Sequence, residues 1–183
     1  MRSPLRLWTV ADYLEAEAAS NIRHEYVSGY VFAMAGASEA HNLIACNFVA
    51  QLRPHLRGST CRVFVSDMKV KIQDDIFYYP DLLVTCNPQD NQPYFKTQPT
   101  LIIEVLSKTT ETTDRREKLM HYQTLESLQE YVLVSQNCIE VEVYRRQASG
   151  FWTVEVLKAD HNLHLVSVDL KLTMAEIYED VRW

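Results

Sequence analysis

The chain has 183 residues, of which 47% are hydrophobic and 23% are charged. This composition is typical of a globular protein with a substantial core, so we expect one domain spanning residues 1–183. The formal net charge of −6 disfavours long-range attraction to nucleic acid, so a nuclease would need basic residues concentrated near its site. No apolar run reaches the roughly 18 residues that cross a bilayer, and acidic residues interrupt the N-terminal region. We therefore expect a cytoplasmic protein with no membrane segment.

Cysteine and glycine usage excludes several classes of function. The four cysteines are widely scattered, and no Cys-x-x-Cys pair exists. Zinc binding is therefore disfavoured, a disulfide framework has no support, and buried free thiols are the expectation. Only four glycines are present, with no glycine-rich phosphate loop, and Ser107 lacks the G-x-S-x-G setting of a serine hydrolase. The cysteines are Cys46, Cys61, Cys86 and Cys138.

The first part of the chain predicts two helices separated by a hairpin. Thr9 to Ser20 begins at a capping threonine and has apolar residues at helical spacing. Ser38 to Leu56 begins at a capping serine and carries a longer apolar stripe. Between them, Glu25 to Met34 are β-forming residues around Ser28-Gly29, which indicates a hairpin.

Three strands are predicted next, at Arg62 to Ile72, Phe77 to Thr85 and Thr100 to Leu106. Pro80 cannot donate to a strand ladder, so it marks an edge, a strand start or a bulge. The polar tract from Asn87 to Gln98 is the predicted loop between the second and third strands.

The remaining elements complete an α/β (α+β) order. Asp114, followed three residues later by Glu117, resembles a capping box and predicts a helix running to about Leu125. Glu130 to Ser135 is predicted as a buried strand. Further strands and a short C-terminal helix follow it. We therefore expect a mixed β-sheet flanked by helices.

Two of the apolar strands each carry one carboxylate. Alternation places Glu104 on the same face as Ile102 and Leu106, and Asp81 on the same face as Leu83. An ionised carboxylate in a buried strand costs free energy unless a cation meets it, and two neighbouring acids repel each other. A divalent cation would solve both problems, and ligands that are all oxygen point to Mg²⁺ or Mn²⁺.

The order of these motifs resembles the Uma-two-type restriction endonuclease family of the PD-(D/E)XK nuclease superfamily. The motifs are Pro80-Asp81, then Glu104-Val105-Leu106-Ser107 at a strand end, then Asp114-x-x-x-Lys118-x-x-x-Tyr122 on a helix. The similarity covers the chain from about His24 to Val134. It implies a restriction-endonuclease-like fold and metal-dependent nuclease chemistry, with Asp81 and Glu104 as catalytic metal ligands.

The superfamily's usual lysine stands two residues after the glutamate, and Leu106 occupies that position here. Lys108 would lie about 13 Å further on in a continuing strand, which is too far. Lys118 lies near a helix start, and helical side chains lean toward the N-terminus. In the resembled family the helix lysine is thought to replace the strand lysine, so Lys118 is predicted to position or deprotonate the attacking water. The alternative is an ion pair with Asp114, worth ~0.2–0.5 kcal/mol.

Other candidates have weaker support. Glu25 matches a family glutamate that precedes the hairpin glycine, and we predict an auxiliary metal ligand, or otherwise a surface acid. Arg115 and Arg116 are predicted to contact phosphate, although charged helix faces are usually just solvated. His41 and His121 could approach the site, but a lone helical histidine is more often packed or solvated than catalytic.

Two classes of function are consistent with these residues. The first is a metal-dependent endonuclease acting on DNA, expected as a homodimer because cutting both strands takes two sites. The second is a catalytically inactive module with the nuclease fold that binds nucleic acid or protein, as Leu106 and the acidic net charge suggest. For each acid taken singly a structural role is the alternative: Asp81 as a turn residue that makes local backbone bonds, and Glu104 as the partner of an arginine.

Overall fold

The structure is a computed structural model that describes residues 7–107 and 110–183. The helices are α1 (Val10–Ala19), α2 (Glu39–His55), α3 (Glu111–Thr113), α4 (Leu119–Gln123) and α5 (Met174–Ile177), with a π-helical segment (Asp114–Lys118) joining α3 to α4. The first eight strands are β1 (His24–Val27), β2 (Tyr30–Ala33), β3 (Arg62–Val65), β4 (Lys69–Ile72), β5 (Ile76–Tyr78), β6 (Leu82–Thr85), β7 (Phe95–Lys96) and β8 (Leu101–Leu106). The last five are β9 (Glu130–Ser135), β10 (Val141–Arg146), β11 (Trp152–Leu157), β12 (Asn162–Leu165) and β13 (Leu170–Thr173). None of the described helices has the length and apolar character needed to cross a membrane.

The strands form two large sheets and one small hairpin sheet. The five-stranded sheet has the order β2-β1-β5-β4-β7, and the six-stranded sheet has the order β11-β10-β9-β8-β6-β3. Within the six-stranded sheet, β8 runs parallel to β9 and antiparallel to β6. The observed architecture is therefore mixed α/β with helices flanking the sheets, which confirms the predicted fold class.

The central strands β6, β8 and β9 of the six-stranded sheet are buried on both faces, and the alternation in β8 separates the two sides. Ile103 and its same-face neighbours pack against the apolar stripe of α2 and against the C-terminal strands and helix. Ile102 and Leu106 pack instead against α4 and the five-stranded sheet. Because side chains alternate along a strand, Glu104 projects toward the second layer, where α4 begins.

Two predicted strands are each broken in two, so those predictions were wrong. Arg62 to Ile72 contains β3 and β4, which lie in different sheets, and the chain turns between them at Asp67 with a φ of 78°. Phe77 to Thr85 is divided at Pro80 between β5 and β6. The chain therefore leaves the six-stranded sheet after β3 and forms the hairpin β4–β5 in the five-stranded sheet. It then returns to the six-stranded sheet as β6, which starts next to Asp81.

The predicted helix starts are confirmed for the first two helices and wrong for the third. Thr9 caps α1 by accepting from the Asp12 N–H, and Ser38 caps α2 by accepting from the His41 N–H. The third helix begins at Glu111, three residues before the predicted cap. Asp114 is buried inside the π-helical segment, because its carboxylate pairs with Lys118.

The prediction of buried free thiols was also wrong. Cys61 and Cys86 form a disulfide, and Cys46 and Cys138 are exposed. The register of β3 on β6 pairs Arg62 with Thr85, which places the two bonded cysteines opposite each other just beyond the ladder. Spacing along the chain does not reveal such a cross-strand neighbour.

Candidate active site

Asp81 and Glu104 meet where β6 begins beside β8. The register pairs Leu82 with Ile103, so the next residues along, Asp81 and Glu104, face each other. The Asp81 N–H donates to Glu104 Oε2 at 3.3 Å, and the Val105 N–H donates to Asp81 Oδ2 at 2.7 Å. The two carboxylates thus accept hydrogen bonds from backbone N–H groups, in place of the backbone carbonyls of a regular ladder. They are held next to each other at a strand end.

Lys118 supplies the cation that meets this pair. Its Nζ lies 3.2 Å from Glu104 Oε1, 2.9 Å from Glu25 Oε1 and 3.2 Å from Asp114 Oδ1. Only 5% of the lysine side chain is exposed. The ion pair with Asp114 and the approach to Glu104 therefore exist together, although they were predicted as alternatives. Lys108 lies outside the described residues.

The π-helical segment brings both Asp114 and Lys118 inward. A π-helical turn holds one residue more than an α-helical turn, and such bulges are frequent at functional sites. The next turn continues this inward face, since the Tyr122 hydroxyl donates to Glu104 Oε1 at 3.3 Å. The Lys118 ammonium also lies 5.3 Å from the centre of the Tyr78 ring.

Acids outnumber bases in this cluster, and the pKa values reflect that. Burial raises the pKa of Glu104 well above its usual range, and the other acids add to the effect although Lys118 opposes it. Burial lowers the pKa of Lys118, but Glu104, Glu25 and Asp114 outweigh it and raise that pKa well above its usual value. Lys118 thus stays protonated near neutral pH, so its ammonium can donate hydrogen bonds but cannot accept a proton.

His41 is a residue of this cluster that sequence analysis ranked too low. Its Nε2 lies 3.2 Å from Asp81 Oδ2, and the ring also bonds the backbone of Val105. Burial lowers the pKa of His41, but the hydrogen bond and charge of Asp81 outweigh it and the pKa is raised. The available signal was its place three residues after the capping Ser38, in the first turn of α2.

The remaining candidates lie around the cluster. Arg115 Nε donates to Glu111 Oε1 at 3.0 Å, and the same guanidinium pairs with Glu142, so Arg115 is engaged within the chain. Arg116 is exposed. His121 contacts the Tyr78 hydroxyl at 2.7 Å and thereby supports the ring beneath Lys118 without reaching the acids.

The acid cluster does not have the arrangement of a preformed metal site. Among residues 7–107 and 110–183, no three His, Cys, Asp or Glu side chains are arranged to hold a metal ion. The Lys118 ammonium lies where three of the carboxylates meet. Asp114 Oδ1 is nevertheless buried without a hydrogen bond of acceptable geometry, even though the ammonium is 3.2 Å away.

Comparison with known proteins found a matching family model and two similar relatives. The Uma2 family model, described as "Putative restriction endonuclease", matches residues 10–175. Two uncharacterized proteins of Synechocystis are similar over most of their length. One, slr1290, is 36% identical over 169 residues, which is 91% of this chain and 89% of the relative. The other, sll1609, is 32% identical over 160 residues, which is 85% of this chain and 90% of the relative.

A solved structure shares the fold. It is the crystal structure of a putative nuclease belonging to DUF820 from Anabaena variabilis, with a TM-score of 0.78. The match covers 93% of this chain and 97% of that one at 19% sequence identity. At that identity the likeness shows that the two chains have the same architecture.

Proposed function

This chain belongs to the Uma2 family of restriction-endonuclease-like proteins, and we propose that it is a Mg²⁺- or Mn²⁺-dependent endonuclease that hydrolyses DNA phosphodiester bonds. The observation that carries the proposal is the convergence of Asp81, Glu104 and Lys118 from two strands and a helix. The proposal includes a cytoplasmic location. It also includes pairing of two copies, because cutting both strands takes two sites, and sedimentation of the purified chain tests that pairing.

The donor chemistry of the cluster fits a hard divalent ion. Glu25, Glu104 and Asp114 surround the Lys118 ammonium, and Asp81 lies beside Glu104. Asp114 Oδ1 is buried without a hydrogen bond from any described residue, although the ammonium is 3.2 Å away. Carboxylate oxygens are the ligands that Mg²⁺ and Mn²⁺ prefer. Asp81 and Glu104 would hold the ion, with Glu25 as an auxiliary ligand. When bound, the ion supplies Lewis acidity and lowers the pKa of water.

The other side chains of the site would position the attacking water, the phosphate and the two carboxylates. Lys118 is a fixed cation in a buried site, so it can donate to the attacking water and stabilise negative charge developing on the phosphate. His41 holds one oxygen of Asp81, and Tyr122 holds one oxygen of Glu104. Arg116 is exposed and is assigned to contact with the phosphate backbone. Arg115 can do so only by giving up its acidic partners.

Plasmid nicking tests the proposal. Wild type should convert supercoiled plasmid to nicked or linear DNA with Mg²⁺ or Mn²⁺, and chelation should stop it. Glu104→Ala and Lys118→Met should lose activity by at least about 100-fold, since each removes a group that acts in the transition state. Glu126→Ala, which removes an exposed acid beyond α4, is the matched control and should remain active. Wild-type cleavage no greater than that of Glu104→Ala would end the proposal.

One observation favours a second candidate, an inactive module that keeps the fold for binding. The Lys118 ammonium already lies between three carboxylates, as an internal counter-ion would. In that case calorimetry should detect no uptake of Mn²⁺ that depends on Asp81. Uptake that disappears in Asp81→Ala would instead favour the nuclease.

A further inference from the structure

Residues 26–38, which we term the rim segment, border the candidate active site at both ends. Glu25, just before the segment, contacts Lys118 at 2.9 Å. His41, three residues after it, contacts Asp81 at 3.2 Å. The hairpin β1–β2 and the connection to α2 are therefore anchored on two sides of the acid cluster.

Two exposed aromatic residues of the rim segment lie on the strand face that carries Glu25. Glu25 pairs with Phe32 across the hairpin, and Val27 pairs with Tyr30. Directly opposed residues project from the same face of a sheet. Phe32 is 54% exposed and Tyr30 is 50% exposed, at the edge of the five-stranded sheet. Both rings are therefore open to solvent beside a group of the active site.

The charge of the rim segment suggests what these rings contact. Residues 26–38 contain no Asp, Glu, Lys or Arg, although the whole chain has a net charge of −6. The charged groups that contact this hairpin, Glu25 opposite Phe32 and Asp75 bonded to Ser28, are acidic, so a phosphate backbone crossing the segment meets no local attraction. Affinity there has to come from another source, and stacking of bases on aromatic rings provides it for any sequence.

We infer that Phe32 and Tyr30 form a platform on which unpaired bases of the substrate stack, so that DNA with an unpaired stretch at the site binds more tightly than a fully paired duplex. This inference rests on the nuclease function proposed above. In a duplex the base faces are covered by their neighbours, so they cannot lie on the rings without being unstacked. A single strand presents its base faces without that cost. The rings would hold it with its backbone near Glu25 and Lys118.

Fluorescence anisotropy with labelled DNA in EDTA separates binding from cleavage. The probes are an oligothymidine of about 20 nucleotides, long enough for one binding site, and its duplex with oligoadenine. The variants are Phe32→Ala and Tyr30→Ala, with Phe32→Trp to restore an aromatic face. Thermal melting of each variant checks that the fold is intact.

Phe151→Ala is the matched control because it removes another exposed ring, far from the site. Phe151 is 76% exposed and precedes β11, where Trp152 pairs with Arg146. The adjacent registers join Arg145 to Glu130 and Glu130 to Leu101, at the start of β8. Glu104 lies toward the other end of that strand.

Wild type should bind the single strand more tightly than the duplex. Phe32→Ala and Tyr30→Ala should each weaken single-strand binding by about fivefold to a hundredfold, the range expected for loss of one stacked base. Phe32→Trp and Phe151→Ala should bind like wild type. Equal affinity for duplex and single strand, or no effect of the alanine variants, would overturn the inference. It would also be overturned if those variants changed sedimentation and left DNA binding intact, because the rings would then contact a second copy.

The two proposals fail separately. Plasmid nicking that persists with no loss of affinity in Phe32→Ala would leave the nuclease and remove the platform. Single-strand binding that depends on Phe32, without cleavage by wild type, would remove the nuclease and leave a binding surface.

Discussion

At the scale of single residues, Lys118 is the group on which the cluster depends. It is 5% exposed and meets three carboxylates, so its removal leaves buried acids with no counter-ion. Breaking a buried ion pair by removing one partner typically costs about 3–5 kcal/mol. The same change makes the cluster more attractive to a divalent cation, because one positive charge is gone.

Lys118→Met should therefore lower stability and raise metal affinity at the same time. We expect the free energy of unfolding to fall by about 3–5 kcal/mol without metal. We also expect Mn²⁺ to raise the melting temperature of this variant more than that of wild type, because ligand binding stabilises the folded state. Thermal melting with and without Mn²⁺ measures both effects. Lys158→Met removes an exposed lysine paired with Glu140 and should change neither. If Mn²⁺ fails to stabilise Lys118→Met, the acids do not form a metal site.

A second prediction concerns how the stability of the folded protein depends on pH through Glu104. Its pKa is raised in the folded protein above the ordinary 4.5 by burial and by the surrounding acids. The folded state therefore holds this proton more tightly than the unfolded state, and stability falls as the pH rises above about 4.5 toward the raised pKa.

The comparison that isolates this effect is Glu104→Gln, which stays neutral. In metal-free buffer, the stability of wild type relative to Glu104→Gln should decline with rising pH, by at most about 1.4 kcal/mol per pH unit for one proton. Urea unfolding at several pH values gives the difference. A difference that grows in favour of wild type as pH rises would show that Lys118 outweighs the burial of Glu104.

At the scale of elements, the π-helical segment decides which side chains enter the cluster. The helix from 111 to 123 starts on the surface, and its wider turn directs Asp114 and Lys118 to the inside. Without the extra residue of that turn, the positions on either side would rotate relative to each other by about 100°. The segment therefore controls alignment, in addition to supplying two of the residues.

Deletion of Arg116 tests this control. Removing one residue from the segment should convert it to a regular α-helical turn and separate Asp114 from Lys118 or Lys118 from Tyr122. We expect loss of Mn²⁺ uptake and of cleavage, because Asp114, Lys118 and Tyr122 would no longer all project from the same side of the helix. Arg116→Ala removes the exposed side chain but keeps the residue count, so it should retain Mn²⁺ uptake and change stability by less than about 0.5 kcal/mol. Retained uptake in the deletion variant would show that the bulge is dispensable.

At the scale of the whole molecule, the disulfide links the two strands at one edge of the six-stranded sheet. Cys61 in the segment before β3 and Cys86 after β6 are 25 residues apart in sequence. Cytoplasmic thiols are normally kept reduced, so a disulfide is unusual for a protein in the proposed cytoplasmic location. The bond lies beyond Thr85, at the end of β6 away from Asp81.

Cys61→Ser should cost stability without affecting the site. Chain-entropy arguments for a loop of this length give about 3–4 kcal/mol of stabilisation by the bond. Chemical unfolding of the oxidised wild type, the reduced wild type and Cys61→Ser measures this contribution. Cys46→Ser, at an exposed free thiol, is the control. Loss of metal uptake in Cys61→Ser at temperatures where it stays folded would contradict the separation of the bond from the active site.

The sequence by itself indicated most of the helices and strands and the two acids Asp81 and Glu104. Period-two alternation put Glu104 on a defined face of β8, Thr9 and Ser38 marked helix starts, and the motif order indicated Lys118. These signals are local, because strand and helix periods depend on neighbours within a few residues.

Only the tertiary structure decided which side chains from different elements contact each other and which sheet each strand joins. Glu25 contacts Lys118, His41 reaches Asp81 from a helix on the other side of the sheet, and two predicted strands divide between sheets. Each outcome depends on residues distant in the chain and on strand register. Spacing along one helix predicted the pair of Asp114 and Lys118. It does not specify partners from other elements, because burial and the neighbouring carboxylates arise only when the layers pack together.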